Sequence, residues 1–145
     1  MIKYFLNYSG RKVYLDIFKS LSVSKIAKPL LLFGDQRLDD NFETLYPGKV
    51  IHYKTFFKDF HKLNDYVCES SDLYKFFSSK NYLKFKDQIF KMMDRVDHLG
   101  TWSRLNRESY LNKLIIFWFN KIKKLNPDVL IFCDTPHTYE TYSLY

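Results

Sequence analysis

The sequence predicts an α/β domain built on a short, mostly parallel sheet of about four strands, with a long helical segment before the last of them. Three observations lead there. Runs of strand length dominated by apolar residues stand at Ile2–Leu6, Leu30–Phe33, Val50–Tyr53 and Val129–Cys133, each followed by polar or turn-forming residues. Between the first two runs lies one helical face, so the chain opens as strand, loop and helix. Between the third and fourth runs, residues 55–125 show helical spacing and no convincing strand.

Ile2–Leu6 is the first strand, and Asn7-Tyr8-Ser9-Gly10 reads as the loop after it, with Ser9 able to cap and Gly10 able to turn. Tyr14, Ile17, Phe18 and Leu21 then fall at i, i+3, i+4 and i+7, one apolar face of a helix. Leu30–Phe33 follows Lys28-Pro29 and closes at Gly34-Asp35. Asp40 or Asn41 can cap a short helix through Leu45 and Tyr46, which Pro47-Gly48 stops. Val50–Tyr53 is a third strand, and a lone histidine inside it, His52, reads as a packed residue.

Leu73, Phe76 and Phe77 open an amphipathic helix, and Tyr82, Phe85, Ile89, Met92, Met93 and Val96 form another, with a break expected across Ser78–Asn81. His98-Leu99-Gly100-Thr101 is a loop. A long helix from about Ser103 to Leu125 carries Leu111, Leu114, Ile115, Trp118, Ile122 and Leu125 at helical spacing. Asn126-Pro127 stops it, because proline lacks an N–H and disfavours helical geometry in the residue before it. Val129–Cys133 is apolar at every position, the pattern of a central strand covered on both faces.

Immediately after that run stand Asp134, Thr135, Pro136 and His137. In open α/β sheets ligands bind in loops outside the carboxyl ends of the strands, so Asp134 and His137 are candidates for chemistry. Asp134 and Thr135 also suit an N-cap of a following helix, and both readings stay open. Ser9, Gly10 and Arg11 occupy the equivalent place after the first strand, with one glycine and neither a Walker nor a GxGxxG pattern. A helix feeding a parallel strand runs antiparallel to it, so the long helix begins on the carboxyl side. Arg104 and Arg107, three residues apart on its first turns, are candidates to hold phosphate or carboxylate. Pairing with Glu108 or a nearby aspartate is the competing reading.

The 145 residues suffice for one domain spanning 1–145, with the helical segment 55–125 inside it. Lys+Arg at 23 against Asp+Glu at 16 gives +7, which favours anionic partners such as phosphates, nucleotides or acidic lipid surfaces. Cys68 and Cys133 have no metal-ligand spacing, and free thiols fit a reducing cytosol. The apolar start is too short for a signal-peptide core, and Leu114–Phe119 is far short of a membrane span. A cytoplasmic location is expected, with peripheral contact on the inner face of the cell membrane left open. Beyond His137 only about two helical turns fit before Tyr145, and four short strands leave open edges. A truncated N-terminal half of a two-domain protein is therefore expected.

Asn126-Pro127-Asp128, an apolar strand, Asp134-Thr135-Pro136-His137 and an aromatic-containing helix follow an arginine-bearing long helix. This succession resembles the N-terminal domain of bacterial capsule and surface-polysaccharide biosynthesis glycosyltransferases of the GT-B type. The opening strand, Ser-Gly-Arg turn and first helix are compatible with it. The resemblance implies a Rossmann-like three-layer domain that binds a saccharide or lipid-linked saccharide acceptor, with the nucleotide-sugar donor held by a second domain and no bound metal or cofactor. It makes His137 or Asp134 the base that takes the acceptor's hydroxyl proton and makes Arg104 and Arg107 anion contacts. Ser9, Gly10, Arg11 and Thr135 would line the substrate. The donor-binding glutamate and glycine-rich signature of the second domain are absent, so the chain alone is expected to be inactive. The alternatives are a basic α/β module for nucleotides or nucleic acid, a non-catalytic polysaccharide assembly domain and a metal hydrolase using Asp134 and His137. No recognition-helix, RNA-binding or zinc-knuckle pattern supports a specific nucleic-acid partner.

Overall fold

The computed structural model describes residues 1–8, 12–34, 49–52, 70–97 and 99–132. They belong to two compact units. A sheet unit takes the described residues up to 52 together with 125–132, and a helical unit takes those from 70 to 124.

In the sheet unit, β1 (Ile2–Tyr8) is followed by α1 (Lys12–Val23), β2 (Ala27–Gly34), β3 (Val50–His52) and, after the helical residues, β4 (Val129–Phe132). The sheet is small, open and parallel throughout, with the order β3-β2-β1-β4. Paired residues in a parallel sheet share a face. Tyr4, Leu6, Leu32, Val50 and Ile131 therefore lie together, and Phe18 and Leu21 of α1 pack against them. The Tyr4 and Phe18 rings meet at 5.4 Å. On the opposite face Phe5, Leu31 and Phe33 are also buried, so β1 and β2 have the two-sided burial that favours parallel pairing.

Three sequence expectations change here. The first strand runs two residues past Leu6, because Asn7 is paired with Phe33 on one side and Phe132 on the other; ladder bonds on both sides outweigh asparagine's poor strand preference. Ile17, expected on the buried face of α1, is exposed, whereas Phe18 and Leu21 from that face pack against the sheet. The run beginning at Val129 is not the central strand among the described residues. It stands at the end of the strand order, and Val129 and Leu130 are 43% and 39% exposed. An unbroken apolar run marks a strand but carries no record of how many neighbours it pairs with, and β1 takes the central place.

Pro29 is tolerated inside β2 because it sits at an irregularity. Tyr4 pairs with Pro29 and Phe5 with Leu31, so Leu30 is the extra residue where the register slips. The Asn-Pro-Asp segment has a distinct job for each residue. Asn126 adopts φ 46°, the left-handed conformation that commonly ends a helix, and Pro127 blocks continuation. Asp128 donates its N–H to the Lys3 carbonyl (2.8 Å) and accepts the Lys3 N–H on its carboxylate (2.7 Å), which locks β4 to β1.

The helical unit contains α2 (Ser71–Phe77), α3 (Lys80–Val96) and all but the last residue of α4 (Arg104–Leu125). The break expected across Ser78–Asn81 falls at Ser78–Ser79, where the Ser79 hydroxyl donates to the Phe76 carbonyl (2.6 Å) and accepts the Tyr82 N–H (3.1 Å). Phe76, Phe77, Tyr82 and Phe85 cluster around this joint at ring separations of 5.1 to 6.5 Å. Tyr82 donates to Asn112 (2.5 Å), Lys86 pairs with Glu108 (2.7 Å) and Arg107 pairs with Asp94. As α3 ascends α4 descends, so the two form an antiparallel hairpin. The short helix expected at 40–46 lies outside the described residues. No helix among those described is long and apolar enough to cross a membrane.

Candidate functional site

The order of strands makes one place in the sheet special. From β1 the chain moves by way of β2 to β3 on one side, and β4 is laid on the other side of β1. This reversal is a topological switch point, where the loops leaving two adjacent parallel strands diverge and open a crevice at the carboxyl ends. Asn7 pairs with Phe132, so the chain leaves β1 after Tyr8 and β4 after Phe132 at nearly the same level. The segments that depart there are Ser9-Gly10-Arg11 and Cys133-Asp134-Thr135-Pro136-His137. Both lie outside the described residues, but their points of departure are neighbours. The two segments singled out separately in the sequence thus follow strands whose carboxyl ends are neighbours.

Asn7 adds a feature that sequence reasoning placed in the loop. It is 7% exposed and is the one buried polar residue among those described, one residue from the end of the central strand and beside β4. It is a single polar side chain near the end of an otherwise apolar interior strand. The signal was present as a single polar residue directly after an apolar run, but strand and loop cannot be told apart there without the pairing partners.

Arg104 and Arg107 lie in the helical unit, where their surroundings differ. Arg107 is engaged inside the hairpin: Nη1 donates to Asp94 and Nη2 to Asp97 (3.0 Å), with the side chain 11% exposed. Its pKa is raised above the usual arginine value, chiefly by the hydrogen bond to Asp94. The competing reading from sequence, pairing with a nearby aspartate, describes it. Asp97 was missed there. Its Oδ1 accepts from the Thr101 N–H (2.9 Å) and hydroxyl (2.7 Å), and Oδ2 accepts from the Trp102 N–H (2.9 Å) as well as from Arg107. The Trp102 backbone bond and then the Thr101 bonds hold this carboxyl well below the usual aspartate range. An aspartate just before a Gly-Thr turn was the available clue.

Arg104 is exposed. With Arg107, Lys91, Asp87, Asp94, Phe90 and Trp102 it lines an open cavity of about 380 Å³ within the helical unit, a volume in the range of small-molecule sites. Lys91 is paired with Asp87 at 2.7 Å. Among the described residues no three His, Cys, Asp or Glu side chains come together as a metal site.

No protein-family model matches the chain, and neither does any curated protein or any solved structure.

Proposed function

We propose that the sheet unit is a Rossmann-like acceptor-binding domain of a GT-B-type glycosyltransferase that acts in surface-polysaccharide biosynthesis. The observation that carries this reading is the adjacency of the β1 and β4 carboxyl ends at the switch point. In sequence, Ser9, Gly10 and Arg11 follow the first of these strands, and Asp134, Thr135 and His137 follow the other, which supports the reading. In this reading the acceptor hydroxyl sits in the crevice and gives its proton to His137 or Asp134 as its oxygen bonds to the donor's anomeric carbon. The bond from that carbon to the phosphate oxygen breaks, and the nucleoside diphosphate leaves with the electron pair. An imidazole is suited to the base role because its ordinary pKa of about 6.5 leaves it largely neutral at pH 7. A second domain brings the nucleotide sugar.

Arg104 and Arg107 have no phosphate contact in this reading. Arg107 is matched by Asp94 and Asp97, and Arg104 opens on the cavity of the helical unit.

The test is a binding screen of the chain against neutral and acidic oligosaccharides, nucleotide sugars and an arbitrary oligonucleotide. Saccharide binding that weakens roughly tenfold or more in His137→Ala or Asp134→Asn, a loss of about 1.4 kcal/mol, with an unchanged circular dichroism spectrum, is the expected result. Indifference to every saccharide together with steeply salt-dependent oligonucleotide binding would replace it with the nucleic-acid module.

A further inference from the structure

The end of the sheet opposite the crevice breaks two local rules, and a lysine is involved each time. In the register of β1 and β2, Lys3 stands beside Lys28, and both are exposed. Like charges set opposite each other on neighbouring strands are destabilising. The turn after α1 holds the second case. Lys25 adopts φ 56°, while its N–H goes to the Ser22 carbonyl (3.1 Å) and the Ile26 N–H goes to the Leu21 carbonyl (3.1 Å). That pair of bonds makes the helix ending in which glycine is usual at the left-handed position. Here the position carries an exposed lysine instead. Departures of this kind from local preference gather at functional positions.

The lysines share one edge. Lys3 and Lys28 are the second residues of β1 and β2, Lys49 immediately precedes β3, and Lys25 lies in the turn that leads into β2. None of the four has an ion pair among the described residues. The acids described in the sheet unit are Asp16 and Asp128. Asp16 lies about two turns before the end of α1, and the Asp128 carboxylate already accepts the Lys3 N–H.

Aliphatic side chains are exposed along the same edge. Ile2 donates its N–H to the Ile26 carbonyl (3.0 Å), which ties the start of β1 to the turn that ends α1. Val23, Ile26 and Ile2 are 84%, 55% and 48% exposed. Uncompensated lysines beside exposed aliphatic groups match a partner that carries both carboxylates and apolar side chains. A second copy of the chain, with its own net charge of +7, is a poor source of those carboxylates. A bilayer interface draws tryptophan and tyrosine, whereas these three exposed residues are aliphatic.

We propose that the amino-terminal edge of the sheet docks an acidic, amphipathic segment of another protein. Lys3, Lys25, Lys28 and Lys49 meet its carboxylates, and Ile2, Val23 and Ile26 meet its apolar side chains. The surface lies at the other end of the strands from the crevice and does not depend on the reaction proposed there.

Fluorescence anisotropy of dye-labelled peptides mixed with the full chain tests it. A peptide of alternating glutamate and leucine should bind, and peptides of alternating glutamate and serine or lysine and leucine should bind at least about tenfold more weakly. Lys28→Glu turns the like-charged pair with Lys3 into an opposite-charged one, so it should raise the melting temperature while weakening the peptide roughly tenfold. Val23→Asp, at an exposed position, should leave melting unchanged and weaken the peptide by a similar factor, on the order of tenfold. Amide shifts on adding the glutamate–leucine peptide should gather at Lys3, Lys25 and Lys28 and spare Asn7 and Phe132. Undiminished binding in Lys28→Glu or in Val23→Asp would overturn the proposal, as would shifts centred on Asn7 and Phe132. Vesicles of phosphatidylglycerol report the rival occupant. Tighter binding to them than to the peptide, lost in the same two variants, would assign the edge to a lipid surface and also overturn it.

Discussion

The sheet unit and the helical unit hold themselves together by different means. Around the sheet the buried residues are apolar apart from Asn7, and the links that set register are backbone bonds plus one carboxylate, Asp128 on Lys3. In the helical unit charged and polar groups are part of the packing: Tyr82 with Asn112, Lys86 with Glu108, and Arg107 between Asp94 and Asp97. The contrast bears on where function resides. A sheet whose strands are consumed by packing has few side chains along the strands left to meet a ligand. A helical hairpin that uses charge for its own construction makes a charged residue on its surface a poor guide to a ligand, and Arg107 is the instance.

The largest effect that would sharpen this contrast is expected at β1. Leu6 is fully buried in the central strand, so Leu6→Ala should cost about 2–5 kcal/mol, whereas Leu130→Ala in the exposed β4 should cost below ~1 kcal/mol. Urea unfolding of the two variants measures both, and similar losses would erase the distinction between central and end strands.

A smaller loss is expected from Asp97→Asn, which removes a charged acceptor from Thr101, Trp102 and Arg107. Because folding lowers the pKa of this carboxyl, its contribution is present above the unfolded aspartate value of about 3.9 and is lost as the pH falls below it. Melting temperatures of wild type and variant should therefore converge below about pH 4, and amide exchange at Thr101 and Trp102 should be faster in the variant at neutral pH. A constant gap down to strong acid would show that Asp97 acts without its charge.

The smallest effect concerns Tyr82, whose phenol is pushed up to about 12 by burial first and by Glu108 second. The unfolded tyrosine ionises near 10. The folded form keeps its proton longer, so the contribution is intact below 10 and is lost as the pH rises toward 12. Tyr82→Phe should show less alkaline destabilisation across that window, read by thermal melts.

Local signals were legible in the sequence, and pairing was not. Asn126-Pro127 ends α4 because left-handed geometry and a missing N–H act on the chain itself, and the break before α3 was visible in its serines. The extension of β1 through Asn7 and Tyr8 was hidden because it depends on Phe33 and Phe132, distant in sequence. For the same reason the end position of β4 was misread as central. The segments after β1 and after β4 were singled out one strand at a time, but that the two strands are neighbours depends on a sheet order that no local pattern encodes. In the helices, spacing placed Arg104 and Arg107 on one face but was silent about Asp94 and Asp97, whose carboxylates engage Arg107.

The most direct test of the switch-point site is residue-resolved. In a ¹⁵N-labelled sample titrated with a saccharide that binds in the screen, backbone shifts should concentrate at Asn7 and Tyr8 of β1 and at Ile131 and Phe132 of β4. Amides at the opposite ends of the strands, Lys3, Ala27 and Val129, should stay still. Shifts gathered at those amino-terminal ends, or confined to α2, α3 and α4, would contradict a ligand site at the crevice between β1 and β4.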